Sequence, residues 1–471
     1  MKEEIFNPSR PLALFETLQS YPYAFFLDSS AIGEKLGRFS FLGCDPFLVF
    51  KSKKDAIELE WNDGRHESFR SNPFHYLKRL FEKYKIPEDD SSIPFTSGAV
   101  GYFAYDMKDF IEELPDISDD DLALPDCILG FYDVVIIYDH LEKRAHIASS
   151  GFPETEESER KKRGSLRLKD FKNRISKARE TEYKFSPALS PSLKSNFSYA
   201  SYAETIKKAK AYIKKGDIYQ VNLSQRFQTT LNMEPVELYS RLRDFSPAPF
   251  SSYLDFKDVL VLSSSPERYL LKKGDYIHTR PIKGTRPRGK DKAQDLSLVK
   301  ELISSDKDRA EHIMIVDLER NDLGRICEYG SVNVEESIVL EKYANVFHLV
   351  STVAGRLKED VGPIDCFVAT FPGGSITGAP KIRSMEIIEE LEPVKRSVYT
   401  GAIGYISFDG NMDTSIVIRT FIIKGKDVYF QVGGGIVADS DPEKEYEETI
   451  HKARGLMRSI GIDTAKEPIG I

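Results

Sequence analysis

Apolar and polar residues alternate, or run apolar for a few positions, through most of the first 150 residues, as half-buried strands require. PFLVFKSK (46–53) and AIELEW (56–61) lead to Asn62-Asp63-Gly64, a tight-turn signal between strands. SGAVGYFAYD (97–106) is glycine-punctuated and aromatic, and ILGFYDVVIIYD (128–139) with KRAHIASS (143–150) reads as a further hairpin. The pattern then changes. Residues 154–180 are almost entirely charged and predict a solvated helix, and SPALSPSLKSNFS (186–198) predicts a linker or surface crossing.

Helical spacing appears in YAETIKKAKAYIKKGD (202–217), and strand signals follow in YQVNLSQRFQTTL (219–231) and VLVLSSSPERYLLKK (259–273). One long helical region is expected over 293–322. Beyond it come SIVLEKYANVFHLVSTVAGRL (337–357), the loop FPGGSITGAP (371–380), a helix over KIRSMEIIEEL (381–391), successive antiparallel strands over 402–437 and a last helix over 442–459. Strands mixed with helices, without regular βαβ alternation, predict the α+β class. The expected organisation is a strand-rich region over 1–150, a charged helix and linker over 151–198, and a second region over 199–460.

Composition narrows the function. The 471 residues are 41% hydrophobic and 30% charged, as in a soluble globular protein of two or three structural units. The net charge is −8, which disfavours general nucleic-acid binding. Against that background the decapeptide RPIKGTRPRG (280–289), with Arg280, Lys283, Arg286 and Arg288, reads as a local site for a small anion. The 4 cysteines stand far apart with no CxxC spacing, so neither a zinc site nor a disulfide framework is indicated, and a reducing cytosol fits. No signal core opens the chain and no run approaches the length of a membrane span, so a cytoplasmic location and no membrane partner are expected.

Several constellations can carry chemistry, each with a structural alternative. Lys283 is either one more solvated charge or a nucleophile. Asp308 and Glu311, and again Glu445 and Glu448, stand at i,i+3 on expected helices, where two carboxylates share a face. Such pairs suit magnesium, or they are simply solvated. FPGGSITGAPK brings backbone N–H groups toward a ligand or is a plain loop, but it lacks the GK[ST] of a Walker A motif. The glycines of QVGGGIV (431–437) mark close ligand contact or tight packing. His348 lies among apolar neighbours, Arg419 ends a strand-like run and can clamp a carboxylate, and Glu267 follows a proline at a turn.

Taken together, these stretches resemble the chorismate-utilising enzymes: the large subunits of anthranilate synthase and aminodeoxychorismate synthase, with isochorismate and salicylate synthases. The resemblance is densest over 200–456, in GDIYQVNLSQRF, SSSPERYL, RPIKGTRPRG, AEHIMIVDLERNDLGRIC, FHLVSTVAG, FPGGSITGAPKIRSMEII, GAIGYISFDGNMDTSIVIRT and QVGGGIVADSDPEKEYEET. LDSS (27–30), GRFSFLGCDP and GYFAYD extend it into the amino-terminal region. It implies a large α+β fold with two extensive antiparallel sheets flanked by helices. Three features point within the family. Aminodeoxychorismate synthases typically read PIKGT where anthranilate synthases read PIAGT. Gln220 stands where the water-using members place a lysine, and an amide cannot serve as that base. YQVNLSQRF and NMDTSI look more like aminodeoxychorismate synthase.

The resemblance then implies a site. Magnesium would be held mainly by Glu311 and Glu448, with Asp308 and Glu445 nearby, and would bind the ring carboxylate of chorismate. Arg419 would clamp the other carboxylate, assisted by Tyr399 and the Gly433 and Gly435 backbone. Lys452, Thr285 and His348 match further ligand-contacting positions, and Ser375 and Gly378 would line the ring pocket. Lys283 would attack the ring, with Glu267 as general acid. Apart from the resemblance, either the nearby Arg280, Arg286 and Arg288 or desolvation would depress the Lys283 pKa. Ammonia would come from a glutamine amidotransferase subunit, since no cysteine here lies in a glutaminase-like context. Asp28, Ser29, Pro249 and Phe250 match an amino-acid pocket found in some members, with Asp28 in place of a glutamate common in the anthranilate enzymes. The alternatives are anthranilate synthesis and a non-catalytic subunit that binds chorismate or an amino acid.

Overall fold

A computed structural model of the chain describes residues 1–5, 8–31, 35–88, 93–180, 192–343 and 346–462. Two large sheets dominate it, and every pairing between their strands is antiparallel. The first runs Lys2–Ile5, Arg144–Ser149, Val134–Asp139, Phe39–Gly43, Phe25–Asp28, Phe250–Asp255, Leu260–Ser265, Thr420–Lys424, Asp427–Ile436, Gln220–Thr230 and Lys194–Ser195, with Gly378–Ala379 added beside Gln220–Thr230. The second runs Ile282–Pro287, Val346–Arg356, Tyr276–Thr279, Arg268–Lys273, Met412–Ile416, Ala402–Ser407, Gly98–Phe103, Cys127–Tyr132, Leu48–Lys53, Ala56–Trp61 and His66–Arg70, with Asn333–Lys342 on Val346–Arg356. Strands from before residue 150 and after residue 199 therefore share both sheets.

The two sheets bury an apolar layer between them, in which Phe25, Phe41 and Val261 of one face Val100, Tyr102 and Ile403 of the other. Helices cover the outer faces. Pro11–Glu16, Pro235–Phe245 and Pro442–Ser459 close over the first sheet, and Pro73–Lys83 and Pro363–Thr370 over the second. This is the α+β, two-sheet architecture expected.

Two helices depart from expectation. The charged segment forms Glu157–Ile175, but it is not a solvated helix: Gly164, Leu168, Phe171 and Ile175 are buried against the first sheet. Their spacing of four, three and four residues makes one apolar stripe, with the charges on the other faces. The Pro/Ser-rich stretch falls largely outside the described residues, and its end forms the short strand Lys194–Ser195. The long helical region is in fact two helices, Lys292–Ser304 and Asp306–Gly324, because Ser305 leaves helical geometry and its hydroxyl accepts the Asp308 N–H at 3.2 Å.

Candidate active site

Lys283 lies on the edge strand Ile282–Pro287. Ile282 pairs with Val350 and Thr285 with His348, so Lys283 and Gly284 together face one residue of the partner strand. This is a β-bulge, a device that re-aims a side chain. Gly284 has φ +85°, which a glycine adopts without strain. The Lys283 amine makes no hydrogen bond or ion pair among the described residues. Its pKa is lowered: burial is the main cause, opposed by the Glu311, Glu267 and Glu448 charges and reinforced by Lys452. Gly435 makes room for it, since a Cβ there would lie 3.5 Å from Lys283 Nζ and 2.7 Å from Gln220 Nε2.

The three arginines of the decapeptide do not tune this amine. Arg280 is held by Glu336, Glu341 and Thr352, Arg286 by Glu301 and Asp308, and Arg288 by Asp295 and the Tyr343 carbonyl. Acidic side chains from neighbouring elements neutralise each of them. Of the two expected causes, desolvation is the one that acts on Lys283.

Glu267 occupies the turn between Leu260–Ser265 and Arg268–Lys273, where its backbone carbonyl accepts the Ile416 N–H at 3.1 Å. Its carboxyl is buried and accepts the Ile282 N–H at 3.3 Å, one residue before Lys283. Burial raises its pKa, against the opposing pull of Ser375, the Ile282 N–H, Lys283 and Arg419. A carboxyl so placed keeps its proton more readily than an exposed glutamate, as a general acid must.

The expected metal ligands come together in part. A Cβ on Gly434 would lie 3.5 Å from Glu445 Oε2, 3.6 Å from Glu448 Oε1 and 3.9 Å from Lys452 Nζ, so three charged groups gather above that glycine. Lys452 donates to Glu448 at 2.8 Å and to the Gly433 carbonyl at 2.9 Å, and Glu445 accepts from Ser440 at 2.6 Å. Glu311, on Asp306–Gly324, feels both Lys283 and Glu448, and burial raises its pKa. Asp308 is instead engaged by Arg286 at 3.1 Å. Among the described residues no three His, Cys, Asp or Glu side chains form a ready metal cage. Carboxylates offered by two different helices suit magnesium, which takes few protein ligands and fills its shell with water and substrate.

Across the cleft, polar groups stand buried without partners. The Thr285 hydroxyl and His348 Nδ1 are 2.8 Å apart, while His348 Nε2 has no partner. Burial, aided by the Arg419 charge, pushes the His348 pKa down to about 3, so its ring is neutral. Both amide atoms of Gln220 and the Ser375 hydroxyl also lack partners. Arg419, at φ +51°, makes no side-chain hydrogen bond or ion pair among the described residues. Buried polar groups are rarely left so, and a cluster of them marks a place for a polar ligand. Tyr399 is buried beside Arg396. Gly378 has φ +146°, and a Cβ there would lie 2.2 Å from the Gln220 carbonyl oxygen, so this glycine lets the loop close onto Gln220–Thr230.

A separate cavity of about 240 Å³ lies between the sheets, and Asp28, Ser29, Pro249 and Phe250 all line it. The Asp28 carboxylate is already committed to Arg243 Nε at 2.5 Å, to the Tyr239 hydroxyl at 3.2 Å and to the Ser40 hydroxyl at 3.2 Å.

Two buried groups escaped the sequence reading. Beneath the FPGGSITGAP loop, Glu319 accepts the Gly374 N–H at 3.0 Å and its pKa rises to about 8, through burial and the neighbouring Asp322, which pairs with Lys381. Behind the cleft, Glu392 and Arg396 form a buried pair at 2.7 Å. Their i,i+4 spacing is visible in the sequence, but it is also the commonest spacing of surface pairs.

The model of the family described as chorismate binding enzyme matches residues 40–458. Anthranilate synthase component 1 of Acetivibrio thermocellus is 40% identical over 459 residues, 96% of this chain and 92% of that one. Aminodeoxychorismate synthase component 1 of Bacillus subtilis (strain 168) is 37% identical over 463 residues, 97% of this chain and 96% of that one. The crystal structure of anthranilate synthase component I from Streptococcus pneumoniae TIGR4 superimposes with a TM-score of 0.79 at 33% identity, covering 91% of this chain and 94% of that one. The isochorismate synthase MenF of Escherichia coli shares the fold, with a TM-score of 0.69 at 18% identity. The chain belongs to the chorismate-binding enzyme family.

Proposed function

We propose that this chain is the large subunit of an aminodeoxychorismate synthase, converting chorismate and ammonia to 4-amino-4-deoxychorismate in the p-aminobenzoate branch of folate synthesis. The observation that carries this reading is Lys283: an amine aimed by a bulge, free of ion pairs, with a depressed pKa and a protonatable carboxyl beside it. Attack needs the neutral amine, and burial favours it. Nζ bonds to ring carbon 2, both ring double bonds shift (carbons 1=2 to 1=6 and 5=6 to 4=5), and the carbon-4 C–O bond breaks. Glu267 gives its proton to the departing hydroxyl, which leaves as water. Ammonia then bonds at carbon 4, both double bonds shift back, and the carbon 2–nitrogen bond breaks with its electron pair on nitrogen to regenerate the Lys283 amine. The new carbon-4 ammonium returns one proton to Glu267.

Magnesium on Glu311 and Glu448, with Glu445 and Asp308 directly or through water, would supply the positive charge that holds the ring carboxylate. Arg419 binds the other carboxylate, with Tyr399, Lys452 and the Gly433 and Gly435 backbone beside it. Ser375, Gly378, Thr285 and His348 line the ring. Ammonia comes from a glutamine amidotransferase partner. All four cysteines here are buried, with thiol pKa values raised by burial, so none is an activated thiolate. The cavity at Asp28, Ser29, Pro249 and Phe250 takes a small amino acid or related ligand, mainly through backbone and apolar contacts.

Anthranilate synthesis is the second reading, favoured by relatives of that name at 40% identity. Purified chain incubated with chorismate, magnesium and ammonium, with and without an aminodeoxychorismate lyase, separates the two. Aminodeoxychorismate is the expected product, and anthranilate alone overturns the proposal.

A further inference from the structure

Three separate segments of the chain carry the site residues Gln220, Ser375 and Tyr399. They are the strand Gln220–Thr230, the FPGGSITGAP loop, and the turn that carries Tyr399. A single side chain touches all three. Arg396 is 2% exposed, and its guanidinium donates to the Asn222 carbonyl at 2.7 Å, to the Ile376 carbonyl at 3.0 Å and to Thr400 Oγ1 at 3.4 Å. Its own carbonyl accepts the Tyr399 N–H at 3.1 Å. Glu392, 4% exposed, fixes the guanidinium through two hydrogen bonds, at 2.9 and 2.7 Å. The same carboxylate accepts the Ser224 N–H at 2.9 Å and the Ser224 hydroxyl at 2.8 Å, tying the pair to Gln220–Thr230 a second time.

We infer that Arg396, held by Glu392, is a positioning residue that sets the spacing between the three segments and so the fit of the substrate ring. It binds the backbone of the segments that carry Gln220 and Ser375, and its guanidinium lies 5.8 Å from the centre of the Tyr399 ring. Two carbonyl acceptors in different segments need donors at a fixed separation and in one plane. A guanidinium supplies that and an ammonium cannot. A buried ion pair is weak support for stability, and an apolar pair of similar volume often replaces one at no cost. A pair with this many cross-segment contacts is accounted for by geometry rather than by stability. Displacement of about 1 Å at a distance from the chemistry lowers turnover by roughly a hundredfold.

The inference rests on chorismate binding in this cleft, not on which product forms. Its test therefore reads total chorismate consumption with ammonium. Arg396→Lys is expected to lower kcat/KM for chorismate about tenfold or more, because the segments that hold the ring are displaced. Arg396→Ala is expected to regain turnover when millimolar guanidinium or methylguanidinium is added, and urea should give no rescue. If Arg396→Lys folds with KM and kcat within twofold of the parent, the inference is overturned. If neither arginine variant folds, Glu392→Gln decides. It keeps the acceptor for Ser224 and loosens the guanidinium, so lowered kcat/KM with an unchanged denaturation midpoint supports positioning, and unchanged kcat/KM overturns it. Anthranilate as the product would sink the proposed reaction and leave these outcomes readable.

Discussion

The site around Lys283 and the cavity beside Asp28 both hold charged side chains inside the same two-sheet body, yet most of those charges are treated in opposite ways. At the cavity, Asp28 is closed off by Arg243, Tyr239 and Ser40, Arg268 is bidentate to Asp413, and Arg38 is bound to Asp139. Ser252 is an exception, with an unpartnered hydroxyl. Around Lys283, by contrast, Lys283 and Arg419 make no ion pair among the described residues, and Gln220, Ser375 and His348 Nε2 are buried without partners, although Lys452 pairs with Glu448 and Asp308 with Arg286. A buried polar group with its partners supports the fold, and one without them costs stability until something binds. The cavity charges therefore belong to stability and the cleft charges to function, and substitutions should divide along that line.

The largest effect is expected from Lys283→Met. Ammonia-dependent turnover should fall by about a thousandfold or more, as when a nucleophile is removed. The denaturation midpoint should stay level or rise, because an unpaired buried amine has been replaced by apolar volume. Turnover kept at the parent rate, with no covalent adduct trapped on the parent enzyme, would refute covalent catalysis.

Arg243→Met is the opposite case. It leaves the Asp28 carboxylate buried without its cation, a change that typically costs about 3–5 kcal/mol. Urea denaturation should register that loss, while the surviving folded protein consumes chorismate with parental KM. A large change in KM with little loss of stability would erase the distinction between the two regions. Arg419→Lys returns to the cleft with a smaller effect. A lysine keeps the charge and loses the planar fork, so KM for chorismate should rise roughly tenfold to a hundredfold, or about 1.4–3 kcal/mol. The unfolding transition should hardly move, since the guanidinium has no partner within the described chain to lose.

Much of this division was legible in the residues, and the exceptions have physical reasons. The NDG turn and the glycine-rich strands are local signals, and the structure places each where its spacing implied; the i,i+3 carboxylates do lie on helices, but Asp308 is engaged by Arg286. The stripe Gly164, Leu168, Phe171, Ile175 was also present in the sequence, but the surrounding charge masked its period. The break at Ser305 carries a readable signature, a serine three residues before an aspartate. What no local pattern could disclose is how distant segments meet. The partners of Arg280, Arg286 and Arg288 come from strands and helices elsewhere, so the decapeptide alone could not decide between its arginines and desolvation as the source of the lowered Lys283 pKa. The bulge at Lys283 depends on the register of Val346–Arg356, and the reach of Arg396 depends on three segments converging.

The smallest effect sharpens the comparison most, because it concerns one hydroxyl that the fold does not need. Ser375 is buried without a hydrogen-bond partner, yet it lies close enough to Glu267 to favour the charged carboxylate. Burial has already raised the Glu267 pKa, and Ser375 restrains that rise. As a general acid Glu267 works only when protonated, so turnover is present below its pKa and lost as pH rises through it. Ser375→Ala removes the restraint. The alkaline limb of the kcat/KM profile, measured at constant free ammonia, should therefore move to higher pH by less than about one unit. The acid limb, where the neutral Lys283 amine is lost as pH falls through its lowered pKa, should stay in place. Stability should change by less than about 1 kcal/mol, since an unpaired buried hydroxyl contributes little to the fold. A limb that moved to lower pH, or an unmoved profile with a raised KM, would assign Ser375 to the ring and not to the acid.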